Sequence, residues 1–423
     1  MVQFRRGCHL RNQPVRNPEN HHGVTMSTSG PQTKQSNKQQ PGKPNGQSGA
    51  APASSHEIEL KFTLPAAPLR ALAKDGLAWP EASAPASKPL LTRYYDTPSH
   101  LFWRHGIALR IRRKGEQWLQ HLKWRGLAAR SSKAPALAGG SVRTEWEWPL
   151  ADSQPDTALI EQALDGMVRL PKKWGKKLST VFETDLTRAV QTLTTSDGSL
   201  IELAFDFGVV RAGATERILA EVELELVTGN ANALYEVADS LVTQTGARLA
   251  GGSKAEQGYR LALSKPPSAV KSTAAPLHRD DSGWRALKAQ AGQTLQDLLA
   301  NQAVVLADSS PEGVHQMRVA LRRLDAIVKP LETALTGQQT DTLLAELRWL
   351  RRSLGHLRNW DVFLTETLPR LKNPAHGKLL RPAADAMRAD AQKAMIHALN
   401  HHRYADLLLK LAQLADGAPP FDH

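Results

Sequence analysis

At 423 residues the chain has room for two or three domains with real cores, and its single cysteine, Cys8, excludes an intramolecular disulfide and a cysteine-built metal site. The net charge of +13 would attract a polyanion, yet aromatic residues are few and no helix-turn-helix, zinc-finger or RNA-binding signature is present, so nucleic acid is not the expected partner. No stretch reaches the roughly 20 apolar residues of a membrane span, and no apolar run follows the early arginines as a secretory signal requires, so the expected location is the cytoplasm.

Residues 1–55 are rich in Gln, Ser, Pro, Gly and Asn and hold seven lysines and arginines against one acid, Glu19. Such a composition predicts a disordered extension, within which Met26 resembles an ordinary start. From 56 to 263 apolar and polar residues alternate in runs at 56–63, 90–95, 107–113, 117–124, 142–149, 181–193, 199–210 and 216–227, with helical inserts at 66–76, 156–166 and 231–247. Eight strands suffice to close an antiparallel barrel around charged side chains. Residues 264–281, with Pro266, Pro267 and Pro276, read as a linker. Beyond it, over 282–423, Leu- and Ala-rich segments of helical period run at roughly 284–307, 311–335, 338–370 and 376–415, the pattern of an antiparallel bundle. The predicted class is α+β multidomain, an eight-stranded antiparallel β tunnel followed by an all-α antiparallel helical bundle, the two folding as separate domains.

The charges follow the strands. In Glu57-Ile58-Glu59-Leu60-Lys61-Phe62 two carboxylates and an amine share one strand face while Ile58, Leu60 and Phe62 share the other. Arg110 and Arg112 flank Ile111, and Lys123 ends 117–123. Arg143, Glu145 and Glu147 alternate with apolar residues, Arg188 follows 184–187, and Asp206 lies between two phenylalanines. Glu221, Glu223 and Glu225 alternate with Val222, Leu224 and Leu226, and Lys254 closes the set. A solvated outer face explains any one of these strands. It explains poorly a set in which arginine strands are segregated from glutamate strands. A cavity with a cationic wall and a carboxylate wall would hold a polyphosphate, the cations gripping oxygens and the glutamates binding metal. The tryptophans at 103, 118, 124, 146 and 148 are expected to pack the barrel.

With Tyr94-Tyr95-Asp96-Thr97-Pro98, Leu109-Arg110-Ile111-Arg112, Glu221-Val222-Glu223-Leu224-Glu225 and Ser253-Lys254-Ala255-Glu256-Gln257-Gly258-Tyr259 added to the first hexad, residues 56–262 resemble the CYTH, or triphosphate tunnel metalloenzyme, family. The resemblance implies an eight-stranded tunnel that hydrolyses inorganic triphosphate to pyrophosphate and phosphate with Mg²⁺ or Mn²⁺, two ions being expected. It implies Glu57, Glu59 and Lys61 as catalytic residues, Glu57, Glu59, Glu221 and Glu223 as metal ligands, and Lys61, Arg110, Arg112, Lys123, Arg188 and Lys254 as phosphate ligands. Asp206 and Glu145 complete the carboxylate set, and Glu225 lies toward the tunnel mouth. Related tunnels admit thiamine triphosphate or ATP as substrate, or adenylate cyclisation. A tunnel acting only as a polyphosphate receptor is a further alternative.

In the helical part His315, Arg318 and Arg322 fall on one helix face, and Arg348, Arg351, Arg352 and Arg358 recur near helical spacing around Leu354-Gly355. A solvated basic stripe accounts for the spacing alone. His315-x-x-Arg318-Val319-x-x-Arg322-Arg323 and Leu350-Arg351-x-x-Leu354-Gly355-x-x-Arg358-x-x-Asp361 also resemble the CHAD domain. That resemblance implies inorganic polyphosphate as partner, bound by His315, Arg318, Arg322, Arg323, Arg351, Arg352 and Arg358, and association with polyphosphate granules. Asp361 is expected to orient an arginine, and Asn359 stands where the family motif has an acid. The family domain pairs two related four-helix bundles, whereas this sequence carries about one, so reduced polyphosphate affinity and an exposed apolar bundle face are expected.

Overall fold

The computed structural model describes residues 58–124, 144–333, 335 and 338–417. The expected disordered extension, Glu57 and Arg143 lie outside the described residues. Alternating residues form strands β1 (Glu59–Thr63), β2 (Ala86–Asp96), β3 (Ile107–Lys114), β4 (Gln117–Trp124), β5 (Thr144–Leu150), β6 (Ser179–Thr194), β7 (Leu200–Ala212), β8 (Thr215–Thr228) and β9 (Arg248–Leu249). They make one antiparallel sheet in the order β5-β4-β3-β2-β6-β7-β8-β1-β9. The count exceeds the expected eight by β9, whose two residues are too short to leave a periodic signal.

Helices α1 (Ala66–Asp75), α2 (Leu101–Arg104), α3 (Thr157–Leu164), α4 (Ala233–Thr245) and α5 (Lys254–Ala262) decorate this sheet. Local chemistry starts several of them. Asp156 accepts hydrogen bonds from the Ala158 and Leu159 amides to begin α3, and Ser253 accepts from the Glu256 amide to begin α5. The outer face of the sheet is apolar and covered. Leu60, Phe62, Leu203, Val222 and Leu224 pack beneath α1 and α4, while Leu109, Ile111, Leu122 and Trp148 form a second core with α2 and α3. Trp118, Trp124 and Trp146 pack against that second core and Trp103 against the inner one.

The inner face carries the charges and, at one end, a third core of Tyr94, Phe182, Leu186, Val210 and Leu219 with Ala255 and Tyr259 of α5. Helix α5 therefore plugs the concave side of the sheet. Its Tyr259 hydroxyl donates to Asp96 at 2.8 Å, and Asp96 in turn accepts from the Phe102 and Trp103 amides at 3.0 Å, locking β2, α2 and α5 together.

The remaining helices are α6 (Gly283–Leu306), α7 (Pro311–Leu331), α8 (Gln338–Val362), α9 (Pro374–Asn400) and α10 (His402–Asp416). The segment expected as one helix over 376–415 divides at His401, whose extended backbone and ring cap the start of α10. The one expected over 338–370 leaves regular α-helix after Val362. Residues 264–281 are irregular, but they lie along the bundle: the Asn301 side chain exchanges hydrogen bonds with both backbone groups of Val270, and Gln316 accepts from the Ser272 amide.

The described residues form one compact unit. A single apolar core runs from Leu60 and Val222 through Leu234, Val237 and Leu241 of α4 to Leu408 and Leu411 of α10, and on to Leu321 and Leu354. Along α9, Leu379, Leu380 and Met387 are exposed. Among the described residues no helix is long and apolar enough to cross a membrane.

Candidate active site

Strand register brings the sequence-predicted charges together. Lys61 of β1 lies opposite Glu223 of β8, Glu59 opposite Glu225, and Asp206 of β7 lies between Arg188 of β6 and Glu221 of β8. The Lys61 amine is 2.6 Å from Glu223 and 3.2 Å from Glu59. The Arg188 guanidinium binds both oxygens of Asp206 and reaches Glu223 at 2.8 Å. Lys254 comes from the first turn of α5 rather than from a strand, and its amine reaches Asp206 at 2.9 Å and Glu221 and Glu223 at 2.8 Å. Gln257, one turn later, donates to the other oxygen of Glu221.

Across the cavity Arg110 and Arg112 of β3 face inward. Lys123 of β4 pairs with Glu145 of β5, and Arg112 lies 3.6 Å from Glu147. Burial opposes the charge on Arg110 of β3, but Tyr94 and then Glu145 outweigh it and raise the guanidinium above its ordinary value, with a smaller contribution from Glu223 of β8. The side chains of Glu59, Lys61, Arg112, Lys123, Glu145, Arg188, Asp206, Glu221, Glu223 and Lys254 are each no more than 20% exposed. This number decides between the two sequence readings: these faces do not look outward to water.

Burial alone would drive such groups neutral, and charge partners reverse it. Burial opposes the charge on Lys61, but Glu223 and Glu59 outweigh it and raise the amine above its ordinary value. Lys254 is raised well above its own, burial being overcome by Asp206, Glu221 and Glu223. Glu223 is held well below the usual carboxylate range against burial by Lys254, Lys61 and Arg188, and Asp206 likewise by Lys254 and Arg188. Arg112 runs the other way. Burial, then repulsion from Arg110 and Arg188, lowers it to about 10. A cluster of cations that destabilise one another is a site short of negative charge.

The carboxylate wall offers only oxygen donors, the hard ligands that Mg²⁺ and Mn²⁺ take. By donor type Glu59, Glu221 and Glu223 suit such an ion. Among the described residues no three carboxylate, histidine or cysteine side chains are placed to hold a metal ion together; the carboxylates are drawn to Lys61, Lys254 and Arg188 instead. Asp206 is wholly buried and doubly engaged, which makes it a counter-ion for Arg188 and Lys254, and Glu145 has the same relation to Lys123.

One inward group escaped the sequence reading. His121 lies on β4 between Arg110 and Glu147, 3.2 Å from the latter. Its place two residues before Lys123 was the available signal, since side chains two apart share a face.

In the helical region α7 and α8 bring Arg318, Arg322, Arg351 and Arg358 close enough that burial and then the other three lower the pKa of Arg318. Arg318 crosses Gly355, where a Cβ would stand 2.5 Å from its guanidinium, and donates to the Arg351 carbonyl at 3.3 Å. His315 is half-buried on α7 and Arg352 is exposed on α8. Arg323 turns away to Ser272 at 2.8 Å, and Arg351 is shared with Asp325. Asp361 does orient an arginine, but it is Arg388 of α9, at 2.9 Å, which also grips Asp308 with both nitrogens. Arg358 has Glu366 at 3.9 Å.

Comparison with known families assigns both regions: the CYTH domain model matches residues 55–259 and the CHAD domain model residues 289–423. The chain carries a CYTH domain followed by a CHAD domain. An inorganic triphosphatase of Haemophilus influenzae is 30% identical over 168 residues, covering 40% of this chain and 44% of that one. An uncharacterized protein of Mycobacterium tuberculosis is 28% identical over 291 residues, covering 64% of this chain and 51% of its own length. The chain thus spans about half the length of the curated relatives it matches. Among solved structures, a Hippeastrum protein described as having a dominant triphosphatase activity aligns at TM-score 0.35 and 18% identity, over 49% of this chain and 96% of that one. The CHAD domain of Ricinus communis aligns at TM-score 0.30 and 31% identity, over 37% and 53%.

Proposed function

We propose that the CYTH domain hydrolyses a triphosphate, inorganic triphosphate first, to pyrophosphate and phosphate. The observation that carries this reading is the buried set of charges, Arg110, Arg112 and Lys123 on one group of strands and Glu59, Glu221 and Glu223 on another, with Lys61, Arg188 and Lys254 bound among the carboxylates. Triphosphate repels an attacking water through its own charge, so the site must first neutralise it. Arg110 and Arg112 present planar donor forks suited to phosphate oxygens, and relief of their mutual repulsion favours an anion there. Lys61, Arg188 and Lys254 supply further cations toward the carboxylate wall. Glu59, Glu221 and Glu223, with Glu57 two residues before Glu59 in the sequence, would hold a divalent cation, which would supply charge neutralisation and lower the pKa of a bound water. The chain needs no nucleophilic Ser or Cys for this chemistry.

The test is phosphate release from the purified full chain with triphosphate, ATP or thiamine triphosphate, each with Mg²⁺, Mn²⁺ or EDTA. Fast release from triphosphate that EDTA abolishes is expected. No release from folded protein supplied with metal would overturn the assignment in favour of a polyphosphate-binding adaptor.

For the CHAD domain we infer a polyphosphate surface centred on Arg318, Arg322, Arg351 and Arg358, with His315, Arg323 and Arg352 at its margin. Replacing Arg318 and Arg322 by alanine should weaken binding of long-chain polyphosphate. It should also lower the slope of log affinity against log salt by about two, roughly one for each phosphate contact removed. Titrations across a salt series measure both. An unchanged slope would exclude these two residues from the binding surface.

A further inference from the structure

His121 is a neutral acceptor set into a wall of donors. Its side chain is buried, and its Nδ1 lies 3.2 Å from Glu147 Oε2, the same oxygen that stands 3.6 Å from Arg112. A carboxylate can only accept, so Nδ1 carries the ring hydrogen and Nε2 keeps a lone pair. Nε2 is buried and has no hydrogen-bond partner among the described residues, and the neighbouring Arg110 Nε is in the same condition. The charged groups around the ring are Arg110, Arg112 and Lys114 from β3, Lys123 from its own strand, and Glu147 with Glu145 beyond it from β5. Burial, then Arg110, Arg112 and Lys123, push the imidazole far below its ordinary value, so the ring is neutral in the protein alone.

That arrangement does not suit the ligand proposed for the tunnel. The oxygens of a phosphate chain are acceptors near neutral pH, and a bare lone pair beside them repels. A proton on Nε2 reverses this: the ring becomes a cation with Nδ1–H on Glu147 and Nε2–H free to donate to a phosphate oxygen, a charge-assisted hydrogen bond. A bound oligophosphate also brings several negative charges against Arg110, Arg112 and Lys123, and so offsets the repulsion that adds to burial in keeping the ring neutral.

We propose that His121 is a cation created by the ligand: seating an oligophosphate against Arg110, Arg112 and Lys123 draws one proton from solvent onto Nε2, so that anion binding and proton uptake are one event. The inference rests on the reading that an oligophosphate occupies the tunnel. No bond within the ligand changes, and the proton comes from buffer. Glu147 is the positioning residue, fixing the tautomer and stabilising the imidazolium.

Calorimetric titration with tripolyphosphate in EDTA, which prevents turnover, tests this in buffers of different ionisation enthalpy at pH 7. Wild-type protein should take up about one more proton per ligand than His121→Gln, the ligand's own protonation cancelling in the difference. Its affinity should also fall with pH about tenfold more per unit than that of the variant over the range in which the bound ring is protonated and the free ring neutral. In parallel, ¹⁵N-histidine spectra of wild-type protein should show one ring passing from neutral to imidazolium on saturation, a readout that does not depend on the variant folding. Binding with equal proton counts, or with no ring changing state, overturns this inference and leaves the tunnel reading intact. Failure of wild-type protein to bind tripolyphosphate overturns both.

Discussion

Replacing Lys254 by methionine should lower triphosphate turnover by about a hundred- to a thousand-fold, the loss seen when one fixed electrostatic partner is taken from a reacting centre. Among the described residues Lys254 is the one cation within 3 Å of Asp206, Glu221 and Glu223 together. Without it these carboxylates face one another with only Arg188 and Lys61 to separate them, and the elevated Lys254 charge that holds Glu223 and Asp206 ionised is gone. Breaking a buried ion network by removing one member costs about 3–5 kcal/mol, so the melting temperature should fall as well. Lys254→Arg preserves charge but not the three-way reach of a compact ammonium, and should recover stability more than activity. Initial rates at saturating triphosphate, with thermal melts on the same preparations, measure the two effects. Near-normal turnover by folded Lys254→Met would remove the α5 amine from the mechanism.

Gly258→Ala should destabilise the CYTH domain although it adds a single carbon. A Cβ there would lie 2.0 Å from Phe182 Cε2 and within 2.4 Å of two further ring atoms. The ring cannot retreat, because it is stacked on Tyr94 at 4.4 Å and meets Tyr259 edge-on at 5.3 Å. Overpacking of this kind costs about 1–3 kcal/mol, and more where no neighbour can yield. Displacing α5 also moves Lys254, one turn earlier on the same helix, so activity should fall with stability. In a Phe182→Ala background the obstructing ring is absent, and Gly258→Ala should cost markedly less; chemical unfolding of the four proteins gives the coupling directly. An equal cost in both backgrounds would exclude the ring as the cause.

Much of this site is legible in the residues because a strand writes its faces into the chain at a period of two. Glu59 with Lys61, Arg110 with Arg112, and Glu221 with Glu223 each occupy one parity, and the apolar residues between them occupy the other and are buried under helices. Family resemblance added Lys254, which no alternation marks because it begins a helix. His121 went unassigned because a lone histidine between leucine and glutamine carries no pattern beyond its parity with Lys123. Arg388 went unassigned for a similar reason. It lies far in sequence from the Asp361 and Asp308 that it clamps, and only the packing of α9 against α8 and the end of α6 brings them together.

The chain by itself determined the longer strands and most of the long helices, which face of each strand is charged, and which segments of the helical region carry arginine, since all of these follow from local periodicity; β9, α2 and α5 are too short to leave such a signal. Tertiary structure alone decided the partnerships. Lys61 meets Glu223 across 162 residues of sequence and Lys254 meets the same carboxylate from a helix, because sheet register and the seating of α5 are set by cores remote from the charges. It also decided that the tunnel sheet and the bundle share one continuous apolar core through α4 and α10, where the proline-rich stretch between them suggested separate bodies. Composition records that a segment lacks periodic structure; whether the elements on either side bury apolar faces against each other depends on surfaces that exist only once both have folded.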